Sequence, residues 1–286
     1  GMFNFSFGVG FGNNKKTEYR YKESPAYDQL LKNHKDLSFF FMNGDYMYED
    51  KRTRQNEPWK MDYYREDYKR YMERGNKMAK YLREVPFMFM YDDHEIGAED
   101  GYDEVGLKEG RWLYRDLALK PWYEYAGWAN YNEPTRQSII RSTASVEKGS
   151  NILHDPTVDF SKLEEEAISN IHIWMNHKNS GVYGFKEIVD DHKIRVTPEF
   201  TNDEECKYSI GTHHYFDWKI NNCHFFALDT RGERTRYIPE KAHDPDRHIL
   251  GDDQFQWLKD KIKQTDSDFI FLFSTVSWMI YHTNFH

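Results

Sequence analysis

The segment that decides the fold is Leu37–Met42 (LSFFFM), a short run of mostly apolar residues that ends at Asn43–Asp45 (NGD). A run of this length and character is typical of a strand covered on both faces, as in parallel sheets. A second run, Val85–Met90 (VPFMFM), has the same character and ends at Tyr91–Glu95 (YDDHE). The two runs predict two buried strands whose ends carry acidic residues.

Helical spacing of apolar residues and turn signals predict the remaining elements. They are a first strand at Phe3–Val9, helices at Ser24–Asn33, Trp59–Glu84, Gly110–Trp128 and Gly251–Lys263, a hairpin of Phe216–Ile220 and His224–Leu228 around Asn221-Asn222, and a last strand at Phe269–Phe273. Strands alternating with helices predict a layered α/β fold, and the hairpin makes its sheet mixed. We expect a single domain over residues 1–286, with an insertion-rich region of some strand at about 132–210.

Composition restricts the classes of function. The net charge of −9 disfavours a nucleic-acid-binding surface, which needs clustered Lys and Arg. The two cysteines, Cys206 and Cys223, form no Cys-x-x-Cys motif. The sequence contains no run of about 18 apolar residues, so it predicts no membrane span. The start of the chain shows no signal peptide, so we expect a cytoplasmic protein if Met2 is the native start, and otherwise the location stays open.

Acidic residues at the ends of two buried strands point to a cation site. In open α/β sheets, ligands bind outside the carboxyl ends of the strands. Asp45 and Asp93 offer hard oxygen ligands, and Tyr48 offers a phenolate that suits Fe³⁺. Carboxylates brought to one edge repel each other, and a cation would relieve that repulsion. The alternatives are a turn or helix cap at Gly44-Asp45 and a solvated acidic turn at Asp92–Glu95.

Four segments of the chain together resemble a known family. Gly44-Asp45-x-x-Tyr48 and Asp92–Glu95 resemble the metal motifs of alkaline phosphatase D, the PhoD-like branch of the metallophosphoesterases. Tyr215–Trp218 with Leu228–Arg234 (LDTRGER) is similar to that family's strand pair, and Leu250–Leu258 (LGDDQFQWL) is similar to its helix start. The four segments stand in the family's order, so the resemblance extends over most of the chain.

The resemblance implies a metallophosphoesterase-type sandwich of two mixed β-sheets flanked by helices. It implies two or more metal ions, Fe³⁺ and Ca²⁺, and a phosphate monoester or diester as substrate. Asp45 would bridge two metals, Tyr48 would bind the Fe³⁺-like one, and Asp93 would bind the second. His94 would act on the leaving-group oxygen after a metal-activated water attacks phosphorus in line.

Further residues are expected around these ligands. Asp92, Glu95 and Asn43 would support the ligands or contact phosphate. Arg231 and Arg234 could bind a phosphate bidentately, or could instead tie loops to acids such as Asp229. His213-His214 is a weaker candidate for a metal pair, and His172 and His177 are expected at the surface.

Two parts of the family's pattern have no counterpart here. The Ser-Cys pair that follows the first strand is replaced by Phe7–Phe11 (FGVGF), and Asn13 or Asn14 could contribute an oxygen ligand in its place. The Gly-Asp-x-His motif that follows the last strand is also missing, although His282 and His286 are nearby. These departures leave open a C-terminally truncated chain, a site completed by other residues, or a non-catalytic protein that binds a phosphorylated ligand or partner. Besides the enzyme and the non-catalytic binding protein, a third reading of the function is an aromatic-rich carbohydrate-binding module.

Overall fold

The elements of the chain are taken from a computed structural model, which describes residues 5–8, 24–34, 36–45, 61–96, 112–130, 140–174, 177–234, 245 and 248–278. The strands are β1 Phe5–Gly8, β2 Phe39–Asn43, β3 Phe87–Met90, β4 Ile140–Val146, β5 Ile152–His154, β6 Ile168–Ile173, β7 Gly181–Asp190, β8 Lys193–Thr197, β9 Glu204–Thr212, β10 Phe216–Ile220, β11 Cys223–Ala227 and β12 Phe269–Phe273. The helices are α1 Pro25–Asn33, α2 Met61–Tyr71, α3 Lys77–Leu82, α4 Asp93–Ile96, α5 Trp112–Tyr125 and α6 Asp252–Gln264.

Two three-stranded sheets hold the predicted buried strands. The first has the order β1-β2-β3, and both of its pairings are parallel. The second has the order β10-β11-β12, with an antiparallel hairpin and a parallel third strand. Asn221 adopts a φ of 53° in the turn of that hairpin, as the Asn-Asn dipeptide predicts.

The two sheets share one aromatic core, which explains why the apolar run at β2 is continuous. Phe41 of β2 stacks on Phe273 of β12 with ring centroids 4.2 Å apart, and on Trp218 of β10 at 5.9 Å. On the opposite face of β2, Phe40 meets Tyr81 of α3 edge to face at 5.2 Å. The strand is therefore covered on both faces.

The predicted helix at Trp59–Glu84 is two helices, and this prediction was wrong over residues 72–76. Asn76 ends the first segment, since its side-chain amide donates to the carbonyl of Tyr71 at 2.9 Å. The same side chain accepts from the N–H of Ala79 at 2.8 Å and so caps α3. Asn76 therefore separates α2 from α3, although the residues around it have a continuous helical pattern.

The insertion-rich region contains the largest departure from prediction. Strands β4 to β9 close into a six-stranded barrel with the order β4-β5-β8-β7-β6-β9, and all of its pairings are antiparallel. The barrel has its own apolar core, which includes Ile171, Ile194 and Tyr208. The expected sandwich of two mixed sheets is therefore not confirmed, because the described pairings of β1-β2-β3 are all parallel and the barrel adds a third sheet that was not predicted.

Two features explain why the barrel escaped prediction. Burial along its strands does not keep to a period of two, as in β6, and shifts of register at Phe185/Glu187 and Ile188/Asp190 interrupt β7. His172 was wrongly expected at the surface. It is fully buried, and its Nε2 lies 2.9 Å from Asn170 Oδ1. Whether barrel and sheets form one domain stays a prediction.

The mixed α/β content is confirmed. Within the described part of the chain, no helix has the length and hydropathy that crossing a membrane requires.

Candidate metal centre

The candidate site lies where the carboxyl ends of both three-stranded sheets meet. Asn43, the last residue of β2, donates its side-chain N–H to the carbonyl of Ser274 at 2.7 Å, directly after β12. The hydroxyl of Thr275 donates to Asp92 Oδ1 at 2.9 Å, directly after β3. These two bonds join the ends of the parallel strands, and acidic residues from different parts of the chain meet there.

The backbone turn that orients Asp45 requires a glycine at position 44. Gly44 has a φ of 78°, and a Cβ at this position would lie 2.5 Å from Asp92 Cβ. Asp45 follows with a φ of 57°, a conformation that Asp tolerates better than most residues. The backbone N–H of Asp45 donates to Glu95 Oε2 at 2.9 Å, and the N–H of Asp92 donates to the same oxygen at 2.8 Å.

Three predicted residues converge around one point. Asp45, Asp93 and His94 each offer a ligand atom, and these atoms all lie within 4.8 Å of one another. Asp93 and His94 are the first two residues of the short helix α4, so both project from the first turn after β3. Asp93 and His94 are buried, and Asp45 is half-buried. The alternative of a solvated acidic turn is therefore wrong for Asp92–Glu95, which are all buried.

The electrostatics around Asp45 disfavour its charged form. Burial raises the pKa of Asp45 to about 7, and the negative charges of Asp92 and Asp93 add to this, while His94 and Arg231 oppose it. Its Oδ1 is buried and accepts no hydrogen bond from the described residues. A carboxylate with a raised pKa and a bare oxygen is a good ligand for a cation, because a positive charge removes both penalties.

The donor set fits a divalent or trivalent cation. Carboxylate oxygens from Asp45 and Asp93 suit hard ions. The imidazole of His94 could complete the shell of an iron or zinc ion, or could lie beside the ion and transfer a proton to a bound substrate. The carboxylate of Glu95 holds both ligand-bearing loops without being in this group. Such hydrogen-bonded supports orient metal ligands in proteins.

Arg231 lies inside this acidic cluster. Its Nε donates to Asp92 Oδ1, and its Nη2 lies 3.5 Å from Asp93 Oδ1. The side chains of all three residues are less than a tenth exposed. Of the two alternatives for Arg231, the structure shows a tie to acidic residues: its side chain contacts Asp92 and Asp93, and its backbone N–H donates to Asp229. Arg234, the other predicted residue, is half-buried three positions further along.

Asp229 anchors the loop that carries Arg231, mainly through backbone N–H groups. Its Oδ1 accepts from the N–H groups of Arg231 at 3.0 Å and Gly232 at 2.7 Å, and its Oδ2 accepts from the Tyr91 hydroxyl. Gln254 in α6 bonds both the N–H and the carbonyl of Asp229. Burial, followed by the charge of Glu233, raises the pKa of Asp229 to about 6. In the sequence, the position of Asp229 two residues after the end of β11 is the signal that could have identified this role.

The pair His213-His214 does not converge on a metal-ligand group among the described residues. His213 Nδ1 pairs with Glu233 Oε1 at 2.6 Å, and both side chains are buried. His214 packs its ring against Tyr91 and Trp122. Tyr48, Asn13, Asn14, His282 and His286 lie outside the described residues.

Comparisons with known proteins confirm the resemblance found in the sequence. The family model described as PhoD-like phosphatase matches residues 16–148. A solved structure described as "Structure of PhoD" matches 94% of this chain with a TM-score of 0.53 and 17% sequence identity. This chain covers 40% of the length of that one. At this identity the structural likeness concerns the fold alone. No match was found among curated proteins.

Proposed function

We propose that the protein is a metal-dependent phosphoester hydrolase of the alkaline phosphatase D type, acting on phosphate monoesters or diesters. The observation that carries this proposal is the convergence of Asp45, Asp93 and His94 within 4.8 Å. The bare Oδ1 of Asp45 supports it, and so does the match of the family model over the segment that contains all three residues.

Each residue of the cluster has a chemical task in this proposal. Asp45 and Asp93 hold the cation, and Glu95 keeps the two ligand loops at a fixed separation. His94, in its protonated form, would donate a proton to the oxygen of the departing alcohol. The bound metal would act as a Lewis acid toward the phosphoryl group and activate the attacking water.

The finer assignments are carried from the resemblance. Two or more ions, Fe³⁺ and Ca²⁺, would share Asp45 as a bridge, with Tyr48 on the Fe³⁺-like ion. Asn43 would support the ligands. Arg231 would set the charge of the site through Asp92 and Asp93, and Arg234 would contact the phosphate. The two three-stranded sheets would correspond to the metallophosphoesterase-type sandwich, to which the barrel is added.

Metal analysis together with a hydrolysis assay tests the proposal. The purified protein should bind at least one cation per chain and hydrolyse chromogenic phosphate monoesters or diesters. Asp45→Asn should lose both the cation and the turnover, whereas His94→Gln should retain the cation at reduced turnover. Asp190→Asn, on the exposed rim of the barrel, serves as a control that changes one carboxylate elsewhere.

Two results would count against the proposal. Less than one bound cation with no turnover of either ester contradicts the enzyme assignment. Saturable binding of a cation and a phosphate ester without turnover would instead support the alternative, a non-catalytic protein that binds a phosphorylated ligand or partner.

A further inference from the structure

The pair His213-His214 lies directly after β9, where the chain leaves the barrel and enters the second three-stranded sheet. The N–H of His213 donates to the carbonyl of Ala167 at 3.0 Å, which ties the pair to the residue before β6. The side chain of His213 reaches the loop after β11, and that of His214 reaches the end of β3. The pair therefore contacts both of the segments that meet in the candidate metal centre.

We propose that His213 is a positioning residue for the candidate metal centre, which keeps Arg231 against Asp92 and Asp93 by binding Glu233. It is supported by a closed ring of contacts that runs from Arg231 through the barrel exit and back. The inference rests on the proposed function in one respect, the binding of a cation at this centre.

The carboxylate of Glu233 is held by His213. Oε1 of Glu233 lies 2.6 Å from Nδ1 of His213, and the side chains of Glu233 and His213 are 9% and 6% exposed, respectively. Because an ionised carboxylate only accepts hydrogen bonds, Nδ1 carries a proton and donates to Oε1. Glu233 is two residues after Arg231, so the position of one restricts that of the other. His213 thus holds the far end of the loop that carries Arg231.

The ring of contacts closes at the start of the same loop. The imidazole of His214 meets the ring of Tyr91 edge to face at 5.5 Å. Tyr91 precedes Asp92, and its hydroxyl donates to Asp229 at the start of the loop. The packing is tight here, since a Cβ on Gly232 would lie 2.5 Å from both the Tyr91 hydroxyl and Asp229 Oδ2. The loop is therefore fixed at its start as well as at its far end.

Loss of His213 should release the loop, because Glu233 carries a buried charge. The negative charge of Glu233 already raises the pKa of Asp229, so the two carboxylates oppose each other. A buried charge without a partner is unfavourable, and moving Glu233 into water relieves it. That movement draws Arg231, two residues away, from its two acidic partners.

Hydrogen exchange of the metal-free chain, measured by mass spectrometry, tests the loop directly. His213→Leu should lose protection at the N–H groups of Arg231 and Gly232, which are hydrogen-bonded in the native loop, while the hairpin of β10 and β11 stays protected. His213→Asn should keep the protection, because Asn places an N–H donor near the position of Nδ1. His192→Leu is the matched control, since it removes a histidine whose Nδ1 contacts a carbonyl at an exposed position of the barrel.

Removal of both partners separates the charge of Glu233 from the packing of His213. In urea denaturation, His213→Leu should raise the unfolding equilibrium constant by about 10–100-fold, the usual effect of a buried polar group left unpaired. His213→Leu combined with Glu233→Met replaces both partners by apolar side chains, which is close to neutral when their shapes are similar. The double variant should therefore recover both the stability and the protection of the loop.

Cation affinity distinguishes withdrawal of Arg231 from a general loosening of the centre. Nη2 of Arg231 lies 3.5 Å from Asp93 Oδ1, so its positive charge opposes a cation bound there. His213→Leu should therefore increase the affinity for Mn²⁺ in calorimetric titration, and Arg231→Met should change it in the same direction. A loosened centre would bind Mn²⁺ more weakly.

Several results would overturn the proposal. Unchanged exchange of the loop in a folded His213→Leu protein shows that His213 does not hold it. A lower affinity for Mn²⁺, or a double variant no better than the single one, shows that loss of His213 loosens the centre as a whole. If His213→Leu does not fold, the double variant decides, since its failure to fold as well would make His213 a requirement of the fold itself.

Failure of the proposed function would be recognised separately. Absence of Mn²⁺ binding and of phosphoester turnover in the wild type would contradict that function. Hydrogen exchange and urea denaturation of the metal-free variants would still decide the role of His213.

Discussion

The backbone N–H of Asp45 donates a hydrogen bond to the carboxylate of Glu95 at 2.9 Å, which ties the loop after β2 to the helix after β3. The same Glu95 oxygen accepts from the N–H of Asp92 at 2.8 Å. One buried carboxylate thus sets the separation between Asp45 and the other two members of the candidate metal centre.

The role of Glu95 predicts that its loss weakens cation binding without removing a ligand. We expect Glu95→Ala to lower the affinity for the cation by about 10–100-fold, as for other residues that support metal ligands. Calorimetric titration of the metal-free protein with Mn²⁺ or Ca²⁺ measures this. Glu84→Ala, at an exposed position before β3, is the control. An unchanged affinity in a folded Glu95→Ala protein would show that the two loops hold their spacing without it.

The raised pKa of Asp45 predicts a pH dependence of stability in the metal-free protein. Its folded pKa of about 7 lies above its ordinary value of 3.8, so the folded state binds the proton more tightly. The stability that this group contributes is present at low pH and falls as the pH rises from about 4 to 7.

Asp45→Asn isolates that contribution, because Asn has the same shape, no charge, and tolerates the positive φ. We expect the free energy of unfolding of the wild type to fall relative to the variant over this pH range, measured by urea denaturation in a chelator. Saturating cation should abolish the difference in slope. Parallel curves for the two proteins in chelator would contradict the assignment.

Cation binding should itself depend on pH, for the same reason. Below a pH of about 7 the metal must displace the proton of Asp45, so its affinity should increase as the pH rises toward that value. Titration in buffers of different ionisation enthalpy measures the protons released per ion bound. Release should be substantial at pH 6 and small at pH 8, and no release at pH 6 would show that Asp45 binds as a carboxylate already.

Arg231 is expected to stabilise the metal-free fold strongly. Its removal leaves Asp92 and Asp93 buried without their positive partner, which typically costs about 3–5 kcal/mol. Arg231→Met should show this loss in urea denaturation, and added cation should recover part of it. Lys193→Met removes an exposed partner of Asp190 at 3.1 Å and should change stability by less than about 1 kcal/mol. Equal effects of the two substitutions would argue against a special role for Arg231.

Gly44 is expected to tolerate no side chain. Its φ of 78° costs an alanine about 1–2 kcal/mol, and the added Cβ would meet Asp92 Cβ at 2.5 Å. Gly44→Ala should therefore lower stability by more than the backbone cost and displace Asp45 enough to weaken cation binding. Gly75→Ala is the matched control, since its Cβ would meet nothing within 4 Å. Thermal unfolding of both variants makes the comparison, and a neutral Gly44→Ala would show that the turn can relax.

Local patterns determined the elements around the candidate centre. The apolar runs at β2 and β3, the Asn-Asn turn and the strand Phe269–Phe273 are each set by neighbouring residues, so they were predictable. The acidic ends of β2 and β3 identified Asp45, Asp93 and His94 in the same way, because parallel strands bring their carboxyl ends to one edge. The barrel was not predictable from these patterns, since bulges interrupt the hairpin of β7 and β8, and since β4 pairs with β9 and β5 with β8 across long stretches of sequence.

What the sequence alone determined is which residues carry charge and ligand atoms, and that they follow buried strands. Tertiary structure decided which of them meet. Arg231 and Asp92 are brought together by the approach of the ends of β11 and β3, and Thr275 joins them from the end of β12. The pKa of Asp45 is likewise a property of the folded chain, because burial is its largest cause. Desolvation and contact between distant strands exist only after packing, and no local pattern encodes them.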